Sequence, residues 1–410
     1  MSTSFDVVVV GGGLTGACTA ALLARHARLD PGRIALLAAE LPGAPSPAAP
    51  PEQRVAAISR AGERVLCAAG AWQRLDAARL MPYERMRVWH ASAAPDSAAA
   101  LSFDAADVGE PNLGTIAGMN ALTHACIESF RERGGVLLQD ALEDLAIDSA
   151  AARLQLRTQS LTARLVIGAD GGRSLVRERA GLHARVRDYR QLAIVATVAT
   201  ERAHAATAWQ RFLPTGPLAL LPLFDGSSSI VWSLDAPVAQ ELLACDAREF
   251  ELRLDEASSL ALGATRLAGA RASFPLRSVA AHSYIASRCA LLGDAAHTIH
   301  PLAGQGANLG LLDAAALCEA VAAAPALHED VGALRVLRRY EQQRRTHNLA
   351  TDAAMSAFES GFAHARGPLA WIVNRGLGAV NRSGALKRVL VRHALGVGGE
   401  LPRLARQLAA

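Results

Sequence analysis

The spacing of apolar positions along the chain outlines its elements. Residues 5–10 form a short apolar run rich in valine, as expected of a parallel strand buried on both faces. Residues 14 to about 25 have helical composition. Residues 33–37, after the turn Asp30-Pro31-Gly32, read as a second strand. Residues 5–40 therefore predict a βαβ unit. Five prolines between Pro42 and Pro51 make the next segment a stiff surface loop. Helical patterning returns over 61–71 and 121–133, and Gly134-Gly135 stops the latter before a strand at 136–138. Strand-like stretches follow at 192–199, 218–223 and 229–234, with Pro214, Pro217 and Asp225-Gly226 as punctuation. At Ala290 the chain returns to a buried strand, and from about Arg335 it reads as helical.

Length and composition narrow the class. A chain of 410 residues suits two domains, or one large α/β domain with an insertion. With 51% apolar and 20% charged residues it can bury a sizeable core, which excludes wholesale disorder. The net charge of +4 gives no reason to expect nucleic acid as a partner. Its distribution matters more. Residues 361–410 hold eight bases against Glu400 alone, so they carry +7 and the rest of the chain −3. Trp371, Val389, Leu390 and Leu395 lie among those bases. A basic amphipathic segment of this kind suits an anionic membrane surface or a partner protein. The six cysteines are scattered, with no C-x-x-C and no Cys/His cluster, so neither a zinc site nor a disulfide framework is expected. No signal peptide and no uninterrupted transmembrane run is visible. The expected location is the cytoplasm, with peripheral contact on the inner face of the membrane.

The first turn carries chemistry. Gly11-Gly12-Gly13-Leu14-Thr15-Gly16 fits G-x-G-x-x-G between a strand and a helix. Gly11 permits the tight turn, Gly13 lets the backbone approach a pyrophosphate, and Gly16 lets helix and strand pack closely. The helix N-terminus offers free N–H groups to the phosphates. Glu40, after the second strand, can accept from both ribose hydroxyls. The pattern predicts a dinucleotide without separating FAD from NAD.

Two further motifs bear on that choice. In 165–177 a strand ends in Asp170-Gly171, with Ser174 and Arg177 opening a helix. In 291–308 come Gly293-Asp294, then Pro301, then Gly304-Gln305-Gly306-Ala307-Asn308. A carboxylate at a strand end followed by glycines suits a polyhydroxy chain, with Asp294 for a ribityl hydroxyl. Backbone N–H groups near 304–306 can face the electron-rich edge of a flavin. Pro301, Gly304 and Gln305 are thus the expected place of chemistry.

With these three pieces in order, the chain resembles the FAD-dependent aromatic-ring monooxygenases related to para-hydroxybenzoate hydroxylase. The run DAAHTIHPLAGQGAN at 294–308, RVAAIS at 54–59, AWQRF at 208–212 and SIVWS at 229–233 resemble the ubiquinone-biosynthesis hydroxylases among them, and most closely the bacterial C5 polyprenylphenol hydroxylases. The resemblance implies an α/β fold: an FAD-binding Rossmann-like domain with a β-rich substrate domain and a C-terminal helical tail. The expected division is 1–74 with 111–185 and 280–345 for FAD, 75–110 with 186–279 for substrate, and 346–410 for the tail. It implies that Arg54 lies beside the flavin, that Asp170 serves both FAD and NAD(P)H, and that Asp294 holds the ribityl chain.

The implied activity is hydroxylation of a polyprenylated phenol through a C4a-hydroperoxide, with O₂ as oxidant and NAD(P)H or a separate reductase as electron donor. One departure stands out. Relatives carry a Glu-Asn pair where this chain has Gly118 and Met119. Trp209, Phe212, Trp232 and Phe274 fit either a pocket for a tailed aromatic ring or core packing of the β-rich part. His297 and His300 fit structural hydrogen bonding on the flavin loop better than metal ligation, and Ser174 fits a helix cap better than a nucleophile. A reductase or halogenase of the same fold is the alternative enzyme, although the halogenase W-x-W-x-I-P run is missing and Lys387 in the tail is the only lysine. A flavin-bearing assembly subunit is the non-enzyme alternative.

Overall fold

The protein is described from a computed structural model covering residues 3–298, 305–326, 328–363 and 400–406. The strand Thr3–Val10 lies within an eight-stranded sheet, parallel to Ser160–Gly168 on one side and Ile34–Ala38 on the other. Val136–Gln139 and Cys289–Leu291 extend the parallel order outward. Val7, Val8 and Val9 are fully buried, as an unbroken valine run flanked on both faces must be. Helix Leu14–His26 packs against helices Met119–Glu132 and Gln305–Ala326, and these elements share one continuous apolar core. The expected βαβ unit and both following helices are present, each within a few residues of its predicted ends.

A nine-stranded sheet forms the β-rich part. Its main path runs His297–Thr298, Ala272–Ala281, Ala184–Thr200, Ser228–Asp235, Gly216–Pro222, Thr207–Leu213, Arg85–His90 and Leu101–Asp104. Neighbours on this path are antiparallel, except Thr207–Leu213 beside Arg85–His90. The strand expected at 192–199 is longer, because its first half pairs with Arg277 to Ala281 as an exposed arm. The sheet also takes in His297–Thr298 from the second flavin motif, so the two large sheets meet at that motif.

Helices Ala236–Ala244 and Ala247–Ser258 cover one face of the large sheet. The sequence reading did not anticipate them. Their start signals are present: Pro237 in the first turn, and Asp246, whose side chain accepts from Glu249 N–H at 2.8 Å. A small sheet of Val55–Ile58, Gly114–Gly118 and Met81–Tyr83 joins the two parts through Ala57, Ile116 and Leu223.

After helix Leu334–Ala363, most of the expected basic tail, 364–399 and 407–410, lies outside the described residues. The described end of the tail returns to the body. Leu401 and Ala405 are buried in the main core, and Leu404 N–H donates to Glu319 at 2.8 Å. One described helix, Gly306–Ala324, is long and apolar enough to cross a bilayer, but it is mostly buried.

Candidate active site

The glycine turn divides its tasks as the spacing predicts. Gly11 has φ +120°, and a Cβ there would lie 2.2 Å from the Ala169 carbonyl oxygen. A Cβ on Gly16 would lie 2.0 Å from the Gly11 carbonyl oxygen, so helix Leu14–His26 approaches its strand as closely as backbone allows. Gly13 is different: nothing lies within 4 Å of its Cβ position. Gly13 also caps the helix without a side-chain hydrogen bond, and the first turn holds no acid. Free N–H groups, a positive helix end and open space therefore coincide, as a pyrophosphate requires. Glu40 is exposed just beyond the second strand, on the same side as Gly12, whose Cβ would meet the Glu40 carbonyl oxygen at 3.1 Å.

Asp170 follows the central strand Ser160–Gly168. One carboxylate oxygen accepts from Val176 N–H at 3.1 Å, while Oδ1 is buried with no protein partner. A buried carboxylate oxygen left without a donor fits a ligand hydroxyl. Gly171, at φ +82°, leaves open space beside it. Asp294 is exposed as a residue, but its carboxylate lies among protein atoms that displace water. That desolvation raises its carboxyl, and His297 and Arg54 pull it partly back. Arg54 is therefore close enough to Asp294 to act on its charge, and both belong to one site. The uncapped helix, the open approach at Gly13 and the orphaned Asp170 oxygen fit FAD.

Gly293 is held from behind. Its N–H donates to Asp313 at 3.1 Å from a left-handed φ of +56°. Asp313 is fully buried and also accepts from His297, from Arg344 Nε at 2.8 Å and from Asn348 at 3.1 Å. Burial alone would raise its carboxyl; His297 and Arg344 outweigh that and hold it well below the usual carboxylate range. Tyr340 donates to the Leu291 carbonyl at 2.7 Å, and Glu341 accepts from Ser283 and from Tyr284 N–H. Helix Leu334–Ala363 thus holds the motif directly through Tyr340, and through Arg344 and Asn348 by way of Asp313, while Glu341 holds Ser283 and Tyr284 before it. The sequence reading missed Asp313, yet a signal was there: a carboxylate inside an apolar helix needs charged partners.

The Nε2 of His297 meets Asp313, which gives this histidine a structural hydrogen bond. Ser174 caps the helix Leu175–Arg179 by accepting from Arg177 N–H at 2.9 Å. Asn308 turns inward: its side chain accepts from Ser59 N–H at 2.9 Å and donates to the Ala57 carbonyl at 2.8 Å. It ties helix Gln305–Ala326 to the strand after Arg54. Gly306 has open space around its Cβ position, Ala307 is half-buried, and Gln305 begins the helix. His300, Pro301 and Gly304 lie outside the described residues. Cys18, Cys126, Cys289 and Cys318 are buried free thiols, and burial pushes Cys289 up to about 12, which makes it unreactive.

The four aromatics do not form one group. Strand pairing places Trp209, Leu220 and Ile230 in one row and Arg211, Leu218, Trp232 and Ile194 in the next, all on the face covered by the helices. Trp232 lies against Phe250 at 6.4 Å, and Trp209 meets Trp89 edge-on at 6.1 Å. Trp232 is buried in this core and the half-buried Trp209 packs against it, so of the two expected readings core packing describes both. Phe212 and Phe274 share the opposite face through the row Phe212, Pro217, Ser233, Ala193, Phe274. Leu221 on that face contacts the small sheet, so this face looks toward the flavin site. Gln210 shares it.

The departure at Gly118 has a structural counterpart. A Cβ on Gly118 would lie 2.4 Å from Glu52 Oε1. Glu52 accepts from Asn120 N–H at 2.7 Å and Ala121 N–H at 2.9 Å, capping helix Met119–Glu132 from a distant loop. A carboxylate stands at this helix start, supplied by residue 52.

A family described as FAD binding domain matches residues 123–354. The ubiquinone hydroxylase UbiL of Rhodospirillum rubrum is 38% identical, over 98% of this chain and 92% of its own length. The chain belongs to the FAD-dependent hydroxylases of ubiquinone biosynthesis. The 3-demethoxyubiquinol 3-hydroxylase of Escherichia coli is 35% identical, over 96% of this chain and 98% of its own length. Among solved structures, p-nitrophenol 4-monooxygenase PnpA from Pseudomonas putida shares the hydroxylase fold, with a TM-score of 0.77 at 20% identity over 96% of this chain and 99% of that one. The expected fold class and enzyme class of this hydroxylase family therefore hold.

Proposed function

We propose that the protein hydroxylates the aromatic ring of a polyprenylated phenol in ubiquinone biosynthesis. The observation that carries this reading is the open glycine turn at the head of Leu14–His26, with Asp170 and its unpartnered oxygen at the end of the neighbouring strand. The relatives' names supply the substrate class. When bound and reduced, FAD supplies the electrons that activate O₂.

The chain's own residues bind and orient. The first turn of Leu14–His26 takes the pyrophosphate and Glu40 the ribose. Asp170 and Asp294 take hydroxyls of the flavin's sugar chain. Arg54 offers a positive charge at the same place. Asp313 and its partners hold Gly293 so that Asp294 faces the cleft. The inner face of the large sheet, with Phe212 and Gln210, closes over the ring carbon and excludes water. NAD(P)H or a separate reductase supplies the electrons.

A strain lacking this protein should accumulate a polyprenylated phenol one ring oxygen short of the next intermediate, identified by mass spectrometry of lipid extracts. Normal ubiquinone levels with no accumulated precursor contradict the reading.

A further inference from the structure

Beside the small sheet lies a cavity of about 260 Å³ whose wall includes none of Gly13, Arg54, Asp170 and Asp294. Its wall includes Val55, Leu75, Leu80, Ile116, Ala121 and Leu223. Most charged groups at its rim are already engaged, Asp76 among them by accepting from Ala78 N–H at 3.0 Å; His124 also lines the cavity. Arg74 donates to the Gly70 carbonyl at 3.0 Å and pairs with Glu132. Arg79 donates to the carbonyls of Pro47, Ala49 and Pro50, and its guanidinium lies 4.6 Å from the Phe224 ring centre. Glu52 accepts from the helix start, and Glu128 pairs with Arg131 at 2.6 Å. With these side chains satisfied, the surface left for a guest is mainly hydrocarbon. A phosphate would find both rim guanidiniums taken.

Position gives the cavity its meaning. Ile116, Leu223 and Val55 belong to the same apolar cluster as Ala57 and Leu221. Leu221 lies on the inner face of the large sheet, the face that carries Phe212 and Gln210. The cavity therefore shares its apolar wall with the packed cluster that borders the inner face, and the loop bearing Pro45 and Pro51 lines it as well. The volume is just under the ~300 Å³ lower end of small-molecule sites, which suits a segment of branched hydrocarbon more than a second ring-bearing ligand.

We propose that this cavity receives the ring-proximal isoprene units of the substrate's tail. The inference rests on the reading of the substrate as a polyprenylated phenol. Ring and tail then bind on separate surfaces: the ring between the inner sheet face and the flavin, the tail against Ile116, Ala121 and Leu223. The remainder of the tail leaves past the proline loop.

The test uses the FAD-loaded full chain, with Ala121→Trp to fill the cavity and Leu75→Trp to fill it from the opposite wall. Two probes are compared: a phenol bearing a geranylgeranyl chain, and the same phenol bearing a methyl group. Flavin absorbance and melting temperature establish that each variant is folded. Both variants should raise KM for the prenylated phenol by roughly 10–200-fold, as for a lost apolar fit, and leave the methyl phenol unchanged. Equal effects on both phenols, or none, overturn the proposal. Calorimetry with farnesol decides the matter separately from turnover. Binding to the wild type and loss in Ala121→Trp support the tail site even if neither phenol is hydroxylated, in which case the proposed function alone falls. No farnesol binding to the wild type overturns the tail site.

Discussion

Gly13 and Gly16 lie one helical turn apart and answer different demands. At Gly13 an added methyl meets no protein atom within 4 Å and the φ is an ordinary −74°, so Gly13→Ala should fold as well as the wild type. Its methyl would occupy the approach to the pyrophosphate, and FAD affinity should fall. Gly16→Ala drives a methyl to within 2.0 Å of a backbone oxygen and should lower stability even without FAD, by ~1–3 kcal/mol as for other overpacked sites. Melting of the FAD-free protein and flavin titration separate the two; identical behaviour would contradict the assignment. Asp294→Ala should yield a colourless, FAD-poor protein, and full yellow occupancy would remove Asp294 from the site.

Asp313 gives a pH signature. Its folded carboxyl lies below the usual range, so its stabilisation is present above the ordinary aspartate value of ~3.9 and is lost as pH falls toward the folded value. Asp313→Asn leaves Arg344 buried without its partner, and should cost ~3–5 kcal/mol at neutral pH while flattening the acid dependence below pH ~4. Urea unfolding across pH measures both, and an unchanged acid limb would show that the network is not what holds the motif. At this scale the glycines, Asp170 and Asp294 were legible because each is part of a local pattern. Asp313 and Glu52 were not, because their partners are distant in sequence, up to 35 residues for Asp313 and up to 69 for Glu52.

Among elements, pairing register decides what a hydrophobic side chain does. Trp232 and Phe274 are both prominent aromatics in strands of one sheet, but they point to opposite faces. Trp232 is packed under the helices Ala236–Ala244 and Ala247–Ser258, so Trp232→Ala should lose ~3–5 kcal/mol of stability. Phe274 is 39% exposed, so Phe274→Ala should change stability by no more than ~0.5 kcal/mol and instead alter KM for the phenol. Denaturation and kinetics on the two variants check this; reversed effects would invert the assignment of faces. Composition marked these aromatics as notable but could not give their face, because that requires the partner strand. Three of the nine strands, at 192–199, 218–223 and 229–234, were legible from apolar runs and turn residues; Arg85–His90, Thr207–Leu213 and Ala272–Ala281 were not. The covering helices were not, because Ala236–Ala244 follows its strand without a loop and only Cys245 and Asp246 separate it from Ala247–Ser258.

At the scale of the molecule, a glycine-turn nucleotide fold supports a large sheet whose inner face looks onto the flavin site, and helix Leu334–Ala363 locks the second flavin motif to both. The order of the three motifs made this plan readable from sequence, since each motif sits at the end of a buried strand that the main sheet brings side by side. The charge split was also readable, and of the tail's described residues Leu401 and Ala405 lie in the main core. Oxygen transfer to a phenolic ring is the central step. The most direct measurement incubates the FAD-loaded protein with a polyprenylated phenol, a reductant and ¹⁸O₂, and reads the product mass. The product should carry one new ring hydroxyl whose oxygen is ¹⁸O. Reductant consumption that yields only hydrogen peroxide, or a hydroxyl bearing oxygen from water, would contradict it.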